Sequence, residues 1–256
     1  MLILSEKYQV GFVGAPKCAT TTMVDLMLSW HGFEGIKNPR GFMKHNSERL
    51  QEAGLFIHDT GKPNVLLSAY REHDTFFWFT AVRSPVSRTV SNYRNKLNRY
   101  AKRFEYRAYL CGKLLQLAKG PRSWADANSA SECIAKFISF PQFVDGLTTH
   151  GVGFDSHYRT FSKILQMDRI QYDAVLQLES MEEDIVMLQK KMAASGVDTE
   201  QFPKLGRLNS TSRSEEGLSA ELREKIALLY DVDSKLIDRI NSKSIESPGV
   251  ARMTDT

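Results

Sequence analysis

One stretch near the start constrains this chain most: Tyr8-Gln9-Val10-Gly11-Phe12-Val13-Gly14, followed by Ala15-Pro16-Lys17-Cys18-Ala19-Thr20-Thr21-Thr22. The first part reads as a short buried strand ending in a turn. Beyond it, Met23, Leu26, Met27 and Trp30 recur at helical spacing, and Gly32 is a helix stop. Strand, small-residue loop and helix form the opening of a βαβ unit. A helix N-terminus there offers unpaired backbone N–H groups and a partial positive charge, which suits an anion. Lys17 adds a full charge, and the hydroxyls of Thr20, Thr21 and Thr22 can donate to phosphate oxygens. The stretch lacks Gly-Lys-Ser/Thr at the required place, so it is not an ordinary ATP or GTP loop. The plainer alternative is that the threonines only cap a helix and Lys17 is solvated.

The rest of the chain alternates similar units. Gly41 to His45 is expected as a second short strand and Val65 to Ala69 as a third. Phe76-Phe77-Trp78-Phe79-Thr80-Ala81-Val82 is the strongest strand, apolar nearly throughout, as a strand buried on both faces should be. Ser84 can cap the next helix, and Pro85 suits its first position. Val86, Val90, Tyr93 and Leu97 form that helix's apolar stripe. Tyr172 to Leu178 is another buried-strand pattern, followed by a helix face of Met181, Ile185, Leu188 and Met192 that Gly196 closes. Ser219 caps a last helix carrying Leu222, Ile226, Leu229 and Tyr230. The expected fold is therefore α/β, a P-loop-like single domain with a central, mainly parallel sheet flanked by helices. Residues 1–241 form the domain, about 100–160 are a helical and loop insertion, and 242–256 are a loose tail.

Composition excludes several classes. The 256 residues are 42% hydrophobic and 25% charged, which is globular rather than disordered. No window approaches ~18 uninterrupted apolar residues, so no membrane span is expected. The first residues do not read as a signal peptide. Cys18, Cys111 and Cys133 are odd in number and scattered, which argues against a disulfide framework and for a reducing, cytoplasmic setting. A net charge of +4 fits an anionic ligand and is too weak to imply nucleic acid.

A second segment sharpens the first. The strand Phe76–Val82 ends in Arg83-Ser84-Pro85, and Ser91 follows eight residues beyond Arg83. Arg83 would stand at the carboxyl end of a parallel strand, where α/β sheets bind ligands. A guanidinium grips phosphate in a bidentate way, and the Ser91 hydroxyl adds a donor. Two separated anion sites on one sheet edge imply a ligand with two separated phosphates. ATP carries one polyphosphate chain, whereas an adenosine with a 5′ group and a 3′-phosphate carries two sites.

On these residues the sequence resembles the sulfotransferases that use 3′-phosphoadenosine-5′-phosphosulfate (PAPS). Ala15 to Thr22 is similar to the family's 5′-phosphosulfate loop, commonly Pro-Lys-x-Gly/Ala-Thr-Thr/Ser. Val82 to Arg94 is similar to its 3′-phosphate motif, commonly Arg-Asp/Asn-Pro-x-x-Arg-x-x-Ser-x-Tyr. Tyr172 to Asp184 resembles the "YDF-x-G-x-FETLEED" segment of the carbohydrate-sulfotransferase (sulfotransferase family 2) branch. Asp155 to Arg159 resembles its "HWRPQ"-like stretch, and Asn209 to Ser212 a late nucleotide-proximal loop. The matches keep the family's order over residues 10–240. Two departures stand out. Cys18-Ala19 replaces the commoner Ser/Thr-Gly or Gly-Gly, and Ser84 replaces the usual Asp or Asn.

The resemblance implies in-line transfer of a sulfuryl group from PAPS to an acceptor hydroxyl, on a saccharide or another small hydroxylated metabolite, with PAP as product. Lys17 would meet the charge growing on the bridging oxygen. Lys17, Cys18, Ala19, Thr20, Thr21 and Thr22 would hold the 5′ group, and Arg83 and Ser91 the 3′-phosphate. No metal is required. His45 is the first choice for general base, because Lys44-His45-x-Ser resembles bacterial relatives, although it lies farther from Arg83 than expected. His58 and His73 are alternatives, and His157 is read as structural or acceptor-side. His31 is left without a role. The basic residues Arg88, Arg94, Lys96, Arg99, Lys102, Arg103 and Arg107 form either a solvated face or a groove wall for an anionic acceptor. Competing readings are a kinase-like nucleotide phosphotransferase and a nucleotide-binding module without catalysis. The cytoplasm is the expected location, with the Golgi lumen as the alternative if an N-terminal anchor has been lost.

Overall fold

A computed structural model describes residues 1–58, 63–100, 139–153, 157–200, 202 and 217–246. Its centre is a five-stranded sheet in the order β3-β1-β2-β4-β5, made of β1 (Leu2–Ser5), β2 (Val10–Gly14), β3 (Leu55–His58), β4 (Phe77–Val82) and β5 (Ala174–Gln177). β2, β4 and β5 are parallel neighbours, and β1 pairs antiparallel with both β2 and β3. Four strands thus share a direction, and β1 alone runs against them.

Side chains on the two sheet faces enter different cores, as period-two alternation requires. Ile3, Phe12, Phe79, Ala81 and Leu176 join a core with α1 (Thr20–Trp30), α2 (Pro39–His45), α3 (Ser47–Glu52) and α8 (Met181–Ala194). Leu2, Leu4, Val13, Trp78 and Val82 join a second core with α4 (Pro63–Glu72), α7 (Phe161–Leu165) and α10 (Asp231–Glu246). The remaining helices, α5 (Pro85–Tyr100), α6 (Phe140–His150) and α9 (Ala220–Leu229), pack on one another. Gly11 is obligatory between the strands, because a Cβ there would lie 2.7 Å from the Trp78 ring.

Several expected elements form with the caps foreseen for them. Ser84 Oγ accepts from Ser87 N–H at the head of α5, and Ser219 Oγ accepts from Leu222 N–H at the head of α9. α8 ends at Gly196, which adopts φ 86° while Val197 N–H reaches back to Met192 O.

Two expected strands are helices instead. Gly41–His45 lies in α2, because Asn38 caps it by accepting from Gly41 N–H at 3.1 Å and Pro39 fits its first turn. Val65–Ala69 lies in α4, where Leu66, Leu67 and Ala69 turn toward Trp78 in the second core. Short apolar runs do not separate strand from helix, and here packing decides. β1 and β3 are strands that the sequence reading did not name. The tail expected from Ser242 is helical as far as Glu246, because Leu236, Ile237 and Ile240 pack α10 onto the second core. Residues 247–256 lie outside the described ones, as do 101–138 of the expected insertion.

Candidate active site

Three parallel strands deliver their connections to one sheet edge. Gly14 pairs with Ala81, and Val82 pairs with Gln177. The loop 15–19 after β2, Arg83–Ser84 after β4 and the turn Leu178–Ser180 after β5 therefore leave the sheet side by side. Thr80, fully buried, locks the first two strands by donating to Val13 O at 2.6 Å. Glu179 joins the other pair, its carboxylate accepting from Ser84 N–H at 3.0 Å. That contact falls on the residue where the family motif usually carries Asp or Asn.

The loop itself is tightly wound. Lys17 has φ 67° and Ala19 has φ 51°, both left-handed and both non-glycine. Such conformations cost about 1–2 kcal/mol each and persist where the surroundings fix them. Thr20 donates to Ala15 O at 2.8 Å, and Cys18 N–H bonds Ala15 O at 3.3 Å, which closes the loop on itself. Gly14 makes this closure fit, since a Cβ there would lie 2.7 Å from Thr20 Cγ2. Ala19 at the N-cap offers no side-chain acceptor, and among the described residues no side-chain cap is seen on α1, whose first-turn N–H groups adjoin the loop.

The expected donor residues divide accordingly. Thr20 is buried and spends its proton inside the loop, whereas Thr21 is exposed and Thr22 half-buried. Cys18 turns into the second core with no exposed surface. Burial pushes its thiol up to about 12, against Arg88 and Arg83, which lower it, and with Glu179 and Asp233, which raise it. The side chain is therefore a protonated packing group rather than a ligand contact. Arg83, Arg88, Glu179 and Asp233 are thus the charged groups whose fields reach that buried thiol. Arg83 is 5% exposed at the end of β4, and Ser91 is half-buried in the second turn of α5.

Arg88 corrects the reading of a basic helix face. It is 2% exposed, with Nε donating to Pro16 O at 3.4 Å and Nη2 to His157 O and Arg159 O at 3.2 and 2.8 Å. Its guanidinium lies 4.5 Å from the Phe161 ring centre and 3.6 Å from Asp233 Oδ2. Asn92 adds a bond to His157 O at 2.8 Å. The 157–159 stretch is thus clamped to α5 through its backbone. Arg94 is exposed, and the farther basic residues either have undescribed side chains or lie outside the described residues. Sequence reasoning missed Arg88 because six other basic residues surrounded it in the count. The available signal was its neighbours Ser87, Thr89 and Asn92, uncharged and now seen to be buried.

The histidines scatter. His45 is exposed in the last turn of α2, outside the buried cluster. Beside it, Arg40 and Lys44 border a cavity of about 460 Å³ floored by Met43, Leu50, Leu55 and Ile57. His58 ends β3 at the same edge as the loop, opposite Leu2. His73 sits before the amino end of β4, on the other edge, with its carbonyl accepting from Trp78 Nε1. His31 is structural: Nδ1 donates to Ala53 O, Nε2 bonds Ser5 Oγ, and burial lowers its pKa.

Against known proteins, the profile described as the Sulfotransferase family matches residues 1–240. The chain belongs to the sulfotransferase family. Carbohydrate sulfotransferase 11 of Rattus norvegicus is 23% identical over 238 residues, covering 91% of this chain and 65% of the relative. Carbohydrate sulfotransferase 12 of Xenopus laevis is 28% identical over 252 residues, covering 91% and 58%. The chain therefore spans less than two thirds of the length of these relatives. No solved structure matches it. It is a carbohydrate-sulfotransferase-like member of family 2. No helix among the described residues is long and apolar enough to cross a membrane.

Proposed function

We propose that this sulfotransferase moves a sulfuryl group from PAPS to an acceptor hydroxyl, on a saccharide or a similar small hydroxylated metabolite, and releases PAP. One observation carries the reading: the uncapped α1 N-terminus with Lys17 and the Arg83 turn leave adjacent parallel strands at one edge. The donor set fits two anionic groups held apart on one ligand. In this reading residues 1–241 form a P-loop-like single domain with the 100–160 insertion on the acceptor side. The scattered cysteines go with a cytoplasmic setting.

The chemistry asks for positioning and charge stabilisation rather than covalent help. A sulfur–oxygen bond to the 5′-phosphate breaks as one to the acceptor oxygen forms. Lys17 offsets the charge left on the phosphate oxygen. The N–H groups of α1's first turn, with Thr21 and Thr22, hold the 5′ side. Thr20 and Cys18 act by shaping the loop. Arg83 and Ser91 hold the 3′-phosphate, which separates this donor from ATP. His45 takes the acceptor proton.

Thermal denaturation with PAP and with ATP–magnesium tests the proposal. A ligand at ~100 times its dissociation constant adds ~2.7 kcal/mol. PAP should raise the melting temperature and ATP–magnesium should not. The reverse result would point to a phosphotransferase instead.

A further inference from the structure

We infer that Arg88 and Asp233 form a positioning pair through which helix α10 fixes the donor loop at Pro16, and with it the placement of Lys17. The inference rests on the donor reading above and extends it to residues that touch no ligand.

The connection is continuous through the structure. Asp233 is fully buried, and its Oδ1 accepts from Phe161 N–H at 2.7 Å, which ties α10 to the head of α7. Its Oδ2 faces Arg88 Nη1 at 3.6 Å. From there Arg88 Nε reaches Pro16 O, the carbonyl immediately before Lys17. Lys17 holds φ 67°, a conformation that needs outside support. This contact comes from another element and grips the residue adjoining Lys17.

A merely stabilising role explains the pair poorly. Arg88 Nη1 and Asp233 Oδ2 are buried without a hydrogen bond, and 3.6 Å is longer than one. Buried ion pairs of loose geometry seldom return their desolvation cost, and apolar residues of the same volume would serve stability as well. What apolar residues would not supply is a directed donor to Pro16 O together with two more to the 157–159 backbone. The fork of one guanidinium makes all three bonds at once.

The experiment uses the full chain, with calorimetric PAP titration and the release of PAP from labelled PAPS in water as readouts. Arg88→Lys keeps the charge and loses the fork, and Asp233→Asn keeps the shape and loses the charge. Each is expected to lower kcat at least ~tenfold while the PAP dissociation constant stays within ~threefold, since the loss falls on transition-state placement. Asp233→Glu should recover part of the rate. In a Lys17→Ala background, the Arg88 and Asp233 changes should cost less than ~twofold further, because residues acting through one another are non-additive. Full additivity there, unchanged kcat, or PAP affinity falling in step with kcat would overturn the inference. Should Arg88→Lys or Asp233→Asn not fold, Asp233→Glu against Lys17→Ala completes the same cycle. Wild-type protein that binds no PAP would instead bring down the donor reading itself.

Discussion

The two sides of the sheet's carboxyl edge are built differently. The side of β2, β4 and α5 is interior: Cys18, Thr20, Arg83 and Arg88 are all buried, and Thr20 and Arg88 donate to backbone carbonyls. The side of α2 and α3 is surface: Arg40 and Lys44 are exposed beside an apolar hollow, and the neighbouring His45 is exposed in the last turn of α2. A donor bound in the same pose at every turnover benefits from groups fixed in advance, because fixed dipoles need no reorganisation during reaction. An acceptor that enters and leaves suits an open rim. The contrast predicts that changes on the first side act through the bound donor, in its affinity or in the placement of charge around it, and that changes on the second alter transfer to the acceptor without disturbing the nucleotide.

The strongest way to break this contrast is His45→Ala. Loss of a positioned general base should reduce transfer about 10²–10⁴-fold with PAP titration unchanged. Unaltered transfer would move the base to another group, with His58 at the same edge the first to examine. Lys17→Ala should lower turnover about 10²–10³-fold and leave PAP affinity nearly intact, because it answers charge present chiefly in the transition state. Arg83→Ala should do the opposite, weakening PAP by about 1.5–3 kcal/mol, the cost of one charged hydrogen bond. Equal effects of Lys17→Ala and Arg83→Ala on both measurements would erase the distinction between their roles.

Two smaller tests concern the interior side alone. Burial raises the Asp233 carboxyl from 3.8 to about 6, with Arg88 and the Phe161 and Ser162 N–H groups pulling it down. The folded protein thus keeps this proton over a range where the unfolded chain has released it. Stability from this group falls as pH rises from about 4 to about 6, by a sum on the order of 3 kcal/mol. Urea titrations across that range should show the component in wild type and lack it in Asp233→Asn. Identical pH profiles would mean that Asp233 titrates normally. Ala19→Gly, at φ 51°, should stabilise the protein by about 1 kcal/mol, and a lower melting temperature would show that the methyl group's packing outweighs the strain.

The interior side was also the more legible in sequence. A strand buried on both faces, such as Phe77–Val82, writes a continuous apolar run, and Ser84-Pro85 writes a helix start. β1 and β3 escaped notice because four-residue strands carry almost no periodicity, and β1 is recognisable chiefly by its partners. α2 and α4 were mistaken for strands although Asn38-Pro39 and Pro63 already marked helix entries. Arg88 shows the deeper limit. Local sequence gives its charge and its place in the motif, but its burial depends on residues 157–161 and 230–233, far along the chain.

The carboxylate that steadies the turn after Arg83 comes from Glu179, just past β5, rather than from the residue beside the arginine. With 95 positions between that amide and its acceptor, the turn after Arg83 reaches its final shape only once β5 has docked beside β4.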